Sequence, residues 1–260
     1  MQHVASADTA RQGDAARPQH PLWLSVVLSL APGLALGAFI ILTAPLFERV
    51  GLDPIFALFG GIGLVIVPIE LGILAVVAHR TTGSWSPLAA LDYTTKLPAR
   101  RLVPLAIGLA IWFIATLIVW IATVEEALVD ALSPWVPATL LQFAQMSAEG
   151  ELPSAGVIVA LLGIAFLFNG FIGPVTEELY FRGYLLPRID RFGRWAPVLN
   201  SVLFAVYHVW TPWRWPQIVI GFVPIAVAGW RTRSLYVPML AHVIVNVVFL
   251  VLLMSALLAG

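Results

Sequence analysis

Long apolar runs broken by short polar connections dominate this 260-residue chain. They cover roughly residues 22–47, 55–78, 102–124, 156–186, 197–212, 217–230 and 235–258. An α-helix needs about 20 apolar residues to cross a hydrocarbon core. The spacing therefore predicts an all-α fold, a polytopic transmembrane helical bundle of about seven spans. The first run is too long for a signal-peptide core, and no small-residue cleavage site follows it. Within it Gly33 and Gly37 form a GxxxG pair suited to close helix packing. The fourth run is longer than one span requires and contains Pro174, which predicts a kink or a start outside the lipid.

Two segments depart from this rhythm. Residues 1–21 are polar and predict a disordered tail. The stretch from Glu125 to Ser154 holds five acids, no Lys or Arg, and prolines at 134, 137 and 153. Its moderate apolar content predicts an interfacial helix or lid over 125–154 rather than a span. There is no internal repeat.

Charge orients the bundle. Seven spans place the tail and the connections 79–101, 187–196 and 231–234 on one side, together with 12 of the 14 basic residues. Only Arg49 and Arg214 fall on the other. The positive-inside rule makes the arginine-rich side cytoplasmic. The expectation is an integral membrane protein, of the plasma or inner membrane, with its N-terminus cytoplasmic and its C-terminus opposite. Trp23, Trp120, Trp195, Trp210, Trp213, Trp215 and Trp230 lie near the span ends, where interfacial anchors belong.

Composition narrows the function classes. Sixty per cent of residues are hydrophobic and 11% charged, with a mean hydropathy of +0.93. A soluble domain carries ~25% charged residues. The net charge is zero, so no basic stripe exists to displace counterions, and nucleic acid is not an expected partner. There are no cysteines, which excludes disulfides, thiolate metal sites and a Cys nucleophile.

Ionisable residues inside the lipid are expensive and need a reason. The second half of the chain has three groups. Glu177-Glu178-Leu179-Tyr180-Phe181-Arg182 places Glu178 and Arg182 at i, i+4, where they can pair. Glu177 points about 100° away, free for acid–base work. Phe204 and His208 form a second i, i+4 set, and His242 and Asn246 a third. Measured from the arginine-rich face at 1.5 Å per residue, Glu177, His208, His242 and Asn246 lie roughly 12–18 Å deep. Independent helices thus bring two carboxylates, two imidazoles and an amide into one slab near the bilayer centre. Each group also has a bland reading, as a structural ion pair, a packing histidine or interhelical glue.

In their order, Glu177-Glu178-x-x-x-Arg182, Phe204-x-x-x-His208 and His242-x-x-x-Asn246 resemble the motifs of the type II CAAX prenyl protease / bacteriocin-processing (CPBP, or Abi) intramembrane protease family. The resemblance covers about residues 155–255. It divides the chain into a tail (1–21), N-terminal membrane helices with the interfacial segment (22–154) and a CPBP-like catalytic core (155–260). It implies an intramembrane endopeptidase, a hydrolase whose site is reached by water from the cytoplasmic side. Its partners would be a peptide or protein substrate at the membrane and the lipid bilayer itself. Carried over, Glu177 would be the base that activates water, helped by His208. His242 and Asn246 would bind water or metal, or stabilise the oxyanion, and Glu178 and Arg182 would orient the site. The resemblance implies either a zinc metalloprotease, with Zn2+ held by Glu177, His208 and His242, or a metal-free glutamate mechanism. Asn is a poor zinc ligand and a good oxyanion donor, which assigns Asn246 to the latter role.

Other polar residues are weighed against this set. Glu70, two residues after Pro68 in the second run, is a mid-membrane acid that either lines the cavity or pairs with a cation. Glu125 and Glu126 imitate the first motif but lack an Arg at the right spacing, and read as interfacial. Tyr207 can donate a hydrogen bond, although packing is the plainer role. Two further functions compete: an ion-coupled transporter, and a non-enzymatic immunity or scaffold membrane protein.

Overall fold

A computed structural model describes residues 18–52, 55–144 and 155–259. Among these the architecture is helical, and the one sheet-like feature is an isolated antiparallel bridge between Thr94 and Ser234. Every apolar run forms a helix. They are α1 (Leu22–Arg49), α2 (Ile55–Thr82), α3 (Ala99–Thr123), then the short α4 (Glu125–Leu132) and α5 (Ala138–Leu141). After them come α6 (Ala160–Arg188), α7 (Ala196–Tyr207), α8 (Trp215–Thr232) and α9 (Tyr236–Ala259). Four of these, α1, α2, α3 and α6, are long and apolar enough to cross a membrane. The protein is thus an integral-membrane, all-α bundle.

The run at 197–212 does not stay helical to its end. The helix α7 stops at Tyr207 after 12 residues, about 18 Å of rise, well short of a ~30 Å core. The cause is local. His208 turns its backbone N–H to the Ala205 carbonyl, while its ring nitrogen Nδ1 bonds the Phe204 carbonyl at 2.8 Å. The imidazole thus occupies the acceptor that the next helical amide would have used.

Prolines shape two of the helices that carry buried acids, α2 and α6. Widened π-type turns occupy Ile62–Ile66, Phe166–Ile172 and Leu179–Leu185. Each ends two residues before a proline: Pro68, Pro174 and Pro187. A proline inside a helix lacks an N–H and drives its ring against the carbonyl four residues back. A wider turn relieves that clash without ending the helix. The expected effect of Pro174 on α6 therefore takes this form, and Glu177–Glu178 lie between two such turns.

The GxxxG pair in α1 packs as anticipated. A Cβ on Gly33 would sit 2.0 Å from the Tyr207 carbonyl oxygen, and one on Gly37 would meet the Val209 side chain at 2.8 Å. These glycines let α1 press against the end of α7, where His208 leaves the helix. The buried core centres on Phe181, Phe204, Tyr207 and Phe222: Phe181 meets Phe204 and Tyr207 edge to face, as Phe204 meets Phe222, and Phe204 stacks on Tyr207.

The tail differs from its expectation at its end. Residues 1–17 lie outside the described residues, but Gln19 and His20 are docked. The Gln19 side chain donates to the Pro187 carbonyl and accepts from the Arg191 amide, and the His20 amide donates to the Arg188 carbonyl. Burial, together with the Arg188 charge, lowers the affinity of the His20 imidazole for a proton. The expected interfacial segment holds α4 and α5, and its part from 145 to 154 lies outside the described residues.

Candidate active site

Consecutive residues at the middle of α6 divide two tasks. Glu178 is fully buried and its Oε1 accepts from Arg182 NH1 at 2.9 Å. The same oxygen meets His242 Nδ1 at 2.9 Å. Arg182, also fully buried, lies over the rings of Phe204 and Phe222 at 4.3 and 4.8 Å. Stacking on aromatic faces gives a desolvated guanidinium a partner that water would otherwise supply. Glu177 turns to another face. Its Oε1 accepts from the Tyr207 hydroxyl at 3.1 Å, and its Oε2 stands 3.7 Å from His242 Nε2. The expectation that Glu177 lacks the arginine partner holds, but it is not free of partners. Tyr207, given a packing role from the sequence, is one of them.

The imidazoles are fixed by what their outer nitrogens touch. A backbone carbonyl only accepts, so His208 Nδ1 is the donor and Nε2 carries the lone pair. The Glu178 carboxylate, already accepting from Arg182, imposes the same tautomer on His242. Asn246 uses one amide N–H on the Asn169 carbonyl at 2.8 Å and keeps a second. Phe204, the first position of the second motif, is an aromatic wall. Its ring stands 4.7 Å from that of His208 and 5.8 Å from that of His242.

Glu177, His208, His242 and Asn246 all line one cavity of about 160 Å³. Glu178 and Arg182 stand behind this wall. Asn169, Phe113 and Phe222 also line it, and it reaches Phe143, Thr211 and Arg214. These last residues belong to the end of the bundle opposite the arginine-rich connections. The resemblance implied water entering from the arginine-rich side. The lining of this cavity extends towards the opposite end, to Phe143, Thr211 and Arg214.

Arg214 shows what the sequence reading missed. Glu125, expected to be interfacial, is buried, and its carboxylate takes Arg214 Nε and NH2 at 2.7–3.1 Å in a two-pronged pair. The partner lies 89 residues away, so a search for Arg at helical spacing could not find it. Both residues were assigned to the same side of the membrane, which their contact satisfies. Asn169 is a second omission, and no motif marked it.

The zinc set of Glu177, His208 and His242 meets only part of what a metal ion needs. The two Nε2 lone pairs and the outer partners of both rings suit ligation. Among the described residues, however, no three His, Asp or Glu side chains gather closely enough to hold a metal ion.

Residues 158–248 match a family model described as type II CAAX prenyl endopeptidase Rce1-like. The matched segment contains all three motifs. No curated protein and no solved structure matches the chain.

Proposed function

Because residues 158–248 carry an Rce1-like domain of the type II CAAX prenyl endopeptidase kind, we propose that the protein is an intramembrane endopeptidase acting on a membrane-associated or lipidated peptide. The observation that supports this most is the shared cavity. Three chain segments place a carboxylate, two imidazole lone pairs and an amide donor around one space.

The groups fall into roles by their hydrogen-bonding capacity. A water between Glu177 Oε2 and His242 Nε2 donates to both, since both are acceptors. Its oxygen attacks the scissile carbonyl carbon as Glu177 takes one proton. The tetrahedral oxyanion is met by the second N–H of Asn246. Collapse breaks the C–N bond, and the proton held by Glu177 passes to the leaving amine. His208, with its Nε2 lone pair facing the cavity, accepts a hydrogen bond from the water or the substrate amide. Glu178 and Arg182 touch no reacting atom; they hold His242 in one tautomer and one orientation. Zinc, the alternative implied by the resemblance, would draw on Glu177, His208 and His242, and metal analysis of active protein decides between the two.

The same reading places the protein in a plasma or inner membrane with the arginine-rich end cytoplasmic. The cavity then faces the extracytoplasmic side. Cleavage of quenched fluorogenic peptides carrying a lipid anchor tests the function. Glu177→Ala, His208→Ala and His242→Ala should abolish cleavage while the thermal unfolding profile stays close to wild type. Full activity in all three would refute it.

A further inference from the structure

We propose that Glu70 is a positioning residue for Glu177, acting through Tyr207 in a three-membered hydrogen-bond chain behind the cavity wall. The inference rests on the reading of Glu177 as the base. Glu70 lies on α2, fully buried, and does not line the cavity. The titratable groups close enough to act on it electrostatically are Tyr207, Glu177, Glu178 and Tyr180. None is a cation. The alternative of a cationic partner for Glu70 thus finds no support among its neighbours.

The donor inventory then decides the arrangement. Tyr207 has one hydroxyl proton, and it points at Glu177 Oε1 across 3.1 Å. The Tyr207 oxygen is left as an acceptor. A Glu70 carboxylate could offer it nothing, and two carboxylates around one phenol would repel inside an apolar core. A Glu70 carboxylic acid donates its proton to Tyr207 and completes the chain Glu70–Tyr207–Glu177. Both Glu70 oxygens are buried with no hydrogen-bond partner, so the acid is the member of the chain that must turn to the Tyr207 hydroxyl to complete it. Polarised in this direction, the chain strengthens the bond from Tyr207 to Glu177. It commits Oε1 of Glu177 to Tyr207 and leaves Oε2 for the water beside His242. Gly33 contributes from the other side, because α1 backs directly onto the Tyr207 carbonyl.

Two measurements test the chain independently. Infrared spectra of the purified protein should contain the carbonyl stretch of a buried carboxylic acid. It should vanish in Glu70→Gln and move to higher frequency in Tyr207→Phe. In kinetics on lipid-anchored fluorogenic peptides, Glu70→Leu should lower kcat about tenfold, the worth of one neutral hydrogen bond, with KM unchanged. Tyr207→Phe should match it. The double variant should be no slower than Tyr207→Phe, because Glu70 acts only through that hydroxyl. Glu70→Gln, whose amide N–H can donate in place of the acid, should recover to within about twofold of wild type. An absent or unshifted infrared band, a Glu70→Gln loss equal to that of Glu70→Leu, or losses that multiply in the double variant would each overturn the proposal. Full activity in Glu177→Gln would overturn the underlying reading instead, and the infrared result would still decide whether the chain exists.

Discussion

The two ends of the bundle are closed in different ways. At the arginine-rich end the chain between α2 and α3 is stitched to the rest by its backbone. The Asp92 amide donates to the Gly183 carbonyl at 2.8 Å, Leu235 to Tyr93 at 2.7 Å and Thr95 to Arg233 at 3.0 Å. Side chains reinforce this latch. Asp190 accepts from Trp230 Nε1 at 2.6 Å and Arg233 NH1 at 2.7 Å, Arg233 also donates to the Tyr93 hydroxyl, and Arg188 stands 3.5 Å from Asp92. Tyr93 and Arg233 both hold positive φ, at 57° and 51°. That conformation is costly for a side-chain-bearing residue and persists where the surroundings enforce it. At the opposite end two short helices and side-chain pairs do the closing, namely Glu125–Arg214 and Gln142–Glu48. The cavity extends towards this second end. Backbone bonds join the segments at the first end and side-chain pairs those at the second, and on the proposed reading the second end is where water and substrate enter.

The largest expected effect comes from the wall between the two ends. Arg182→Met leaves the fully buried Glu178 carboxylate without its cation, and should cost about 3–5 kcal/mol of stability. The Glu178→Leu/Arg182→Met pair should recover most of that in thermal unfolding while remaining inactive, because His242 loses its orienting carboxylate. Equal destabilisation by the single and double variants would contradict the assignment.

Next in size is the seam of α1 and α7. Gly33→Ala forces a methyl into the Tyr207 carbonyl, so it should cost about 1–3 kcal/mol, as overpacking does. It should also slow cleavage by moving Tyr207 and His208. Gly72→Ala, where a Cβ meets nothing within 4 Å, is the matched control.

Smaller effects distinguish the ends directly. Glu125→Ala leaves Arg214 unpaired at the cavity end, and about 1–3 kcal/mol should be lost. Substrate handling should change with it, seen as an altered KM. Asp190 at the latch should give the smallest effect, and it should be one of pH. Burial alone would raise its carboxyl. The hydrogen bonds from Arg233 and Trp230, with the Arg233 charge, outweigh burial and hold it below the ordinary carboxylate value. Its stabilising contribution is therefore complete above about pH 4 and fades as the pH falls through the depressed value. Asp190→Asn should flatten that acid limb in thermal unfolding and leave KM untouched. A KM change from Asp190→Asn as large as that from Glu125→Ala would erase the contrast between the ends.

Much of this was legible in the sequence, for identifiable reasons. Apolar runs reported helices because lipid-facing and core-facing positions are both greasy. The i, i+4 rule found Glu178–Arg182 because both residues sit on one helix. The depth argument brought Glu177, His208, His242 and Asn246 together because each helix has one end near the same face. It worked for His208 although that residue lies just outside its helix, since leaving the last turn hardly changes the depth. What escaped was long-range or conformational. The Glu125–Arg214 pair joins distant segments, the π-type turns depend on how each proline is accommodated, and Tyr207 acquires its role only through the crossing of α6 and α7. The latch at Asp92, Tyr93 and Arg233 escaped as well, because no side-chain pattern announces its backbone bonds.

The central claim is that Glu177 is the base of a hydrolytic site. Purified wild type and Glu177→Gln, matched in thermal unfolding and in metal content, should be compared on the same lipid-anchored fluorogenic peptides. Wild type should cleave them, and the variant should lose at least about a hundredfold, the scale of removing a general base. Cleavage at the wild-type rate by Glu177→Gln would contradict it.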